Sequence, residues 1–86
     1  MVTENFDREF SKLRDAAIER RIWRNVRALE DDPRIGSPLV GVEDPEFGRL
    51  YRLRVGDYRV VYAVQHDARR VVLLRVGHRR SVYRGL

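Results

Sequence analysis

Apolar residues recur along this chain with two different periods, and the change of period divides it in two. From about Asn5 to Asp15 the apolar positions Phe6, Phe10, Leu13 and Ala17 fall at i, i+4, i+7 and i+11, which is one stripe of a helix. Thr3 or Asn5 supplies a side chain able to cap it. A second stripe runs through Ile18, Ile22, Val26 and Leu29. Trp23 widens that stripe, and Arg20, Arg21, Arg24 and Arg27 lie mostly on the other side, so an amphipathic helix is expected. Trp23, a large aromatic beside the apolar stripe, is expected in the core. The two stripes nearly meet around Arg14 to Ala17, which fits either a helical hairpin with a tight break or one bent helix. Asp31-Asp32-Pro33 ends the second helix, because the residue before a proline avoids the α region.

Pro33 to Gly48 carries three prolines and three glycines among Ile35, Leu39, Val40, Val42 and Phe47, and reads as an ordered connection packed on the domain. Beyond it the period becomes two. Tyr51 to Tyr62 alternates apolar and charged residues around Gly56-Asp57, a dipeptide suited to a two-residue type II′ turn. With those two in the loop, Val55 faces Tyr58, Arg54 faces Arg59, Leu53 faces Val60 and Arg52 faces Val61. Arg52, Arg54 and Arg59 then share one face, while Tyr51, Leu53, Val55, Tyr58, Val60, Tyr62 and Val64 form the opposite, core-facing one. After a polar turn at Gln65 to Arg69, a third strand runs from Arg70 to Val76, bounded by Gly77. If Val72, Leu74 and Val76 point to the core, then Val71, Leu73, Arg75, Gly77 and Arg79 alternate on the arginine face. The expected fold class is α+β: a single domain spanning residues 1–86, with two N-terminal helices (a helical hairpin) packed on a small twisted antiparallel sheet of three to four strands.

Eighty-six residues suffice for one helix layer on one sheet but not for two independent cores. With no cysteine and two histidines, neither disulfides nor a zinc centre is expected, and no cofactor is called for. Charges interrupt every apolar run, so neither a membrane span nor a signal peptide is expected, and a cytoplasmic location fits. Charge changes the picture more. Residues 1–48 carry 8 basic and 11 acidic side chains, net −3, whereas residues 49–86 carry 10 and 2, net +8. A basic pole of this kind points to a polyanionic partner. Arg54 directly opposite Arg59 is unfavourable on an exposed sheet, and no local carboxylate offsets the repulsion, so the gap suits a bound anion.

Gly77-His78-Arg79-Arg80-Ser81-Val82-Tyr83-Arg84 adds an imidazole, a phenol and further guanidinium groups after the last strand. With the hairpin YRLRVGDYRVVY, the tail VGHRRSVYR and the preceding LEDDPRIGSPLVG, the chain resembles the RelE toxins of the RelE/ParE superfamily over nearly its whole length. The resemblance implies a toxin of a type II toxin–antitoxin system. It would be a metal-independent messenger endoribonuclease that enters the ribosomal A site, with the mRNA and ribosome as partners, neutralised by a RelB-like antitoxin. It carries the family's roles onto Arg52, Arg54, Arg59, Arg79 and Tyr83; with His78, the catalytic candidates are Arg54, Arg59, Arg79, His78 and Tyr83, and the candidate RNA contacts are Arg52, Arg75, Arg80 and Arg84. In the best-studied type the position of Arg54 is a lysine credited as base. Arginine, with a pKa above about 12, is a poor base, which leaves His78 as the side chain suited to proton transfer near neutrality. Family members usually open with a β-strand, and here only Met1-Val2-Thr3 precedes the first helix. Two other functions share these features: a ParE-like inhibitor of DNA gyrase, and an RNA-binding module without catalysis.

Overall fold

The computed structural model describes residues 1–65, 67 and 70–86. Two helices, α1 (Glu4–Ser11) and α2 (Ala16–Asp31), precede four strands: β1 (Ser37–Asp44), β2 (Gly48–Val55), β3 (Tyr58–Gln65) and β4 (Arg70–His78). The strands form one antiparallel sheet in the order β1-β2-β3-β4. The helices are a hairpin, broken between Lys12 and Asp15, where Arg14 takes the left-handed conformation at φ 50°. Thr3 caps α1 by accepting the Phe6 N–H at 3.2 Å, and Asp15 caps α2 by accepting from Ala17 and Ile18.

The apolar stripes of both helices lie on one sheet face. Phe6, Ile22, Val26 and Leu29 meet Leu53, Val55, Val60, Tyr62, Leu73 and Val76 there, all buried. Trp23, expected in the core, sits instead at its margin, edge-on against Phe6 and tilted against Phe10 while remaining 36% exposed. The β2–β3 register is the one the turn dipeptide dictates, with Val55 opposite Tyr58 and Arg54 opposite Arg59. Gly56 takes φ +60° at the first turn position, as a type II′ turn demands.

Three expectations need correction. The segment after Pro33 is not wholly a connection, because Ser37–Asp44 pairs with β2 as an edge strand. Its pattern is hidden because Leu39 to Val42 bulge out between the Pro38–Tyr51 and Glu43–Arg49 pairs. The facing of β4 is also reversed over its first half. Val61 pairs with Arg75 but Tyr62 pairs with Leu73, so Leu74 is an extra residue that shifts the phase by one. Leu73 therefore belongs to the helix-side core, whereas Val72 and Leu74 lie on the arginine face. Finally, that face carries a second, smaller apolar cluster of Leu50, Val61, Ala63, Val72 and Val82. The central strand β3 is thus buried on both sides, which an argument from chain length misses. The expected polar turn at Gln65 to Arg69 includes His66, Ala68 and Arg69, which lie outside the described residues.

Both edges of the sheet are covered or broken. At β1 the bulge interrupts pairing. At β4 the N-terminal residues make a single parallel bridge, with the Thr3 N–H on the Leu73 carbonyl at 3.1 Å and the Leu73 N–H on the Met1 carbonyl at 2.9 Å. Farther along β4, Glu9 of α1 accepts the outward Val76 N–H at 3.1 Å and lies 3.5 Å from Arg75. Replacing Glu9 with Gln keeps an acceptor for Val76 but turns an amide on a half-buried guanidinium. The expected cost is about 1 kcal/mol, a drop of roughly 4–8 °C in Tm for a domain of this size, read by thermal unfolding.

Candidate phosphate-binding site

The register of β2, β3 and β4 assembles a row of arginines. Arg54 and Arg59 face one another on a single rung, next to the hairpin turn, and Gly77 of β4 lies beside Arg59. Arg54 is exposed, whereas Arg59 is only 7% exposed. The difference has a local cause. One terminal nitrogen of Arg59 donates to the carbonyl oxygens of Gly56 at 2.8 Å and Tyr58 at 2.7 Å, so the guanidinium folds back over its own turn. That bond pair fixes the plane of the group. Its Nε and second terminal nitrogen make no hydrogen bond to the described residues and remain available to an anion. Arg52 is exposed one rung-pair farther from the turn, opposite Val61.

The chain after β4 returns to this region. The Arg79 N–H donates to the Asp57 carbonyl at 2.8 Å, which continues the β4 ladder around the tip, and its Nε lies 3.8 Å from the Asp57 carboxylate with both side chains exposed. An ion pair that open contributes little and leaves Arg79 free to exchange partners. Val82 then packs under the sheet, its Cβ 3.6 Å from the place a Cβ on Gly77 would occupy, and this anchors the tail on the arginine face. Arg80 and Arg84 are exposed along that tail.

His78 does not join the arginine rung, and Tyr83 reaches the same face by another route. Alternation past Gly77 puts His78 opposite Tyr58, on the helix side of the sheet, with the two rings edge-on at 5.7 Å. Its Nδ1 accepts the Arg80 N–H at 3.2 Å, which places the ring proton on Nε2 and commits the lone pair a base would use through Nδ1. Tyr83 packs against the second apolar cluster, and its hydroxyl is buried without a hydrogen-bond partner. Arg75 is spent inside the fold, giving one nitrogen to the Arg84 carbonyl at 2.6 Å and another to Glu9 at 3.5 Å. The structure therefore brings together Arg54, Arg59 and Arg79, with Arg52, Arg80 and Arg84 at the margins. His78 lies on the opposite side of the sheet, whereas Tyr83 and Arg75 share the arginine face, one packed on the second apolar cluster and the other bonded to Glu9 and the Arg84 carbonyl.

One contributor escapes a reading of the sequence. Glu9 anchors Arg75, but a lone carboxylate on the polar side of a helix gives no signal of this. The side taken by His78, in contrast, was available, since the alternation that puts Gly77 with the arginines puts its neighbour on the other face.

Residues 1–83 match the sequence model of the family described as the ParE toxin of the type II toxin–antitoxin system parDE. Among solved structures, the fold is similar to one in the RelBE2 toxin–antitoxin complex of Mycobacterium tuberculosis. That similarity has a TM-score of 0.74 and 29% identity, over 90% of this chain and 85% of that one. It is also similar to one in the archaeal RelE–RelB complex of Pyrococcus horikoshii OT3, with a TM-score of 0.73 and 26% identity over 94% and 93% of the two chains. No individually curated protein matches the sequence.

Proposed function

The chain belongs to the ParE toxin family of type II toxin–antitoxin systems, within the RelE/ParE superfamily, and we propose from its arginine site that its target is RNA and that it acts as a ribosome-dependent messenger endoribonuclease. The observation that supports this reading is the Arg54–Arg59 rung. Two guanidinium groups face each other across a ladder, and no carboxylate among the described residues pairs with either. Such a pair is unfavourable until an anion sits between them, and a phosphodiester offers two non-bridging oxygens to two planar forks.

In the reaction the ribose 2′ oxygen attacks the adjacent phosphorus and the P–O5′ bond breaks. The products are a 2′,3′-cyclic phosphate and a 5′-hydroxyl, with the 2′ proton passing to water and a proton from water reaching O5′. Negative charge grows on the non-bridging oxygens, where Arg54 and the free edge of Arg59 stabilise it, and Arg79 turns from Asp57 to the departing 5′ oxygen. Most of the acceleration is then orientation and charge stabilisation. Arg52, Arg80 and Arg84 hold the flanking backbone. Arg75 fixes the tail on which Arg84 and Tyr83 ride. His78 holds the Arg79–Arg80 turn through its Nδ1. An Asn side chain can accept the same i+2 N–H in an Asx turn. His78→Asn is accordingly expected to keep cleavage within about threefold, and a loss beyond about 100-fold would make His78 the proton-transfer group. A RelB-like antitoxin is the expected neutralising partner, as in the two complexes of similar structure.

The placement of His78 on the helix side of the sheet favours one other reading, a ParE-like toxin that binds DNA gyrase and cuts nothing. Primer extension on messenger from a translating extract decides between them. Discrete toxin-dependent 5′ ends are expected; intact messenger together with inhibited supercoiling would establish the gyrase reading, and RNA binding without new ends a non-catalytic module.

A further inference from the structure

The proton that leaves the ribose 2′-hydroxyl needs an acceptor, and the groups first in line for it serve poorly. Arg54 and Arg59 are guanidinium groups, which hold their protons. His78 is on the helix side of the sheet, its Nδ1 accepting the Arg80 N–H. The Tyr83 hydroxyl is buried against the second apolar cluster. One described ion pair does bring a carboxylate to the arginine cluster, that of Asp57 with Arg79.

We propose that Asp57 is the general base of the reaction, taking the 2′ proton through a single water. The inference rests on the endoribonuclease reading above and deepens it. Its first support is position. Asp57 is the second residue of the turn that carries the rung, and the carbonyls that hold the Arg59 guanidinium, those of Gly56 and Tyr58, flank it in the chain. Its own carbonyl accepts the Arg79 N–H at 2.8 Å. Arg59 and Arg79 are thus both tied to main chain within one residue of this carboxylate. Its second support is access. The Asp57 side chain is 72% exposed, and the 3.8 Å contact with Arg79 is open enough to part when Arg79 turns to the departing 5′ oxygen. The third is charge. The other charged side chains gathered at the turn, among the described residues, are cations: Arg54 from β2, Arg59 from β3, Arg79 from the tail, and Arg21 from α2, whose terminal nitrogen lies 2.9 Å from the place a Cβ on Gly56 would occupy. They outnumber the single carboxylate, so it stands beside the phosphate site without closing that site to an anion.

The atoms balance. The 2′ O–H bond breaks as the O2′–P bond forms; the proton passes to the water, and a proton of that water passes to Asp57. The P–O5′ bond breaks and O5′ gains its proton from a second water, after which Asp57 returns its proton to solvent.

The test uses the whole chain with Asp57 replaced by Asn, which also suits the position after glycine in a type II′ turn and so preserves the register. Ribosomes programmed with a short messenger are cut under single-turnover conditions across the pH range 6 to 9. The wild-type rate is expected to change little over that range. Asp57→Asn is expected to be about 100-fold slower near neutrality and to climb about tenfold per pH unit, as hydroxide replaces the missing base. On a messenger with a 2′-deoxyribose at the cut site, which binds but cannot react, the variant is expected to bind as tightly as the wild type or a few-fold more tightly, because a negative charge beside the phosphate is gone. On a messenger whose departing 5′ oxygen is replaced by sulfur, which leaves without a proton, the Asp57→Asn loss is expected to persist while the loss from Arg79→Ala shrinks. A variant that cuts at the wild-type rate, keeps the wild-type pH profile, loses rate only in proportion to weakened binding, or recovers on the sulfur substrate overturns the proposal alone. A wild-type chain that cuts neither reactive messenger overturns the endoribonuclease reading, and the proposal with it.

Discussion

Replacing Arg54 with Ala is expected to lower messenger cleavage by about 100- to 1,000-fold, the usual cost of removing one preorganised donor to a developing oxyanion, while leaving the fold as stable as before or slightly more so. Arg54 is exposed and makes no hydrogen bond to a described residue, so nothing internal is lost with it. Its one close relation is repulsive, the Arg59 guanidinium on the same rung, and relief of a like-charged cross-strand pair is worth a few tenths of a kcal/mol. A fall in activity without a fall in Tm separates a phosphate-binding role from a structural one. Arg54→Lys is the informative partner. It keeps the charge but gives up the planar fork, and an intermediate loss of about tenfold is expected if two oxygens are gripped at once. Full activity in the Ala variant, measured by primer extension under single-turnover conditions, would remove the rung from the mechanism.

Where the sequence carried a local rule, the structure follows it; where one added residue interrupted the rule, the facing read correctly on one side of the interruption is reversed on the other. Gly56-Asp57 sets the β2–β3 register because a two-residue turn leaves no slack, and the arginine row follows directly from that register. The same period-two argument goes wrong on β4 because Leu74 is an added residue opposite the Val61–Tyr62 step, and a bulge has no signature among consecutive valines and leucines. β1 was obscured for a related reason, since prolines and glycines spaced through an edge strand look like those of a loop. Of the site, the charges were legible and their commitments were not. Arg59 turned on its own loop carbonyls and Arg75 pinned between Glu9 and the Arg84 carbonyl depend on contacts that only the folded chain creates.

The packing around Tyr62 allows the largest expected change in stability from a single methyl group. Tyr62 is fully buried; its hydroxyl donates to the Pro33 carbonyl at 2.8 Å and accepts the Gly36 N–H at 3.1 Å, which ties the start of β1 to the centre of the sheet. Gly36 passes so close that an added Cβ would sit 2.3 Å from the Tyr62 hydroxyl and 2.5 Å from the Arg52 carbonyl oxygen. One of those neighbours is main chain and cannot swing aside, so Gly36→Ala is expected to cost about 3 kcal/mol, more than about 10 °C in Tm. Tyr62→Phe removes the nearest obstacle, leaving the ring edge 2.9 Å from the added Cβ, but strands the Pro33 carbonyl and the Gly36 N–H, at about 1–2 kcal/mol. The two changes share a partner, so the double variant is expected to be more stable than the sum of the single losses predicts, by about 1 kcal/mol in a double-mutant cycle. Strict additivity would mean that the Arg52 carbonyl alone sets the limit. Burial also raises the Tyr62 phenol above its ordinary pKa of 10.0. The sign follows: a raised pKa keeps its stabilisation intact below about pH 10 and loses it as the pH climbs through that value. Urea midpoints measured from pH 8 to 11 are expected to fall more steeply for the wild-type chain than for Tyr62→Phe.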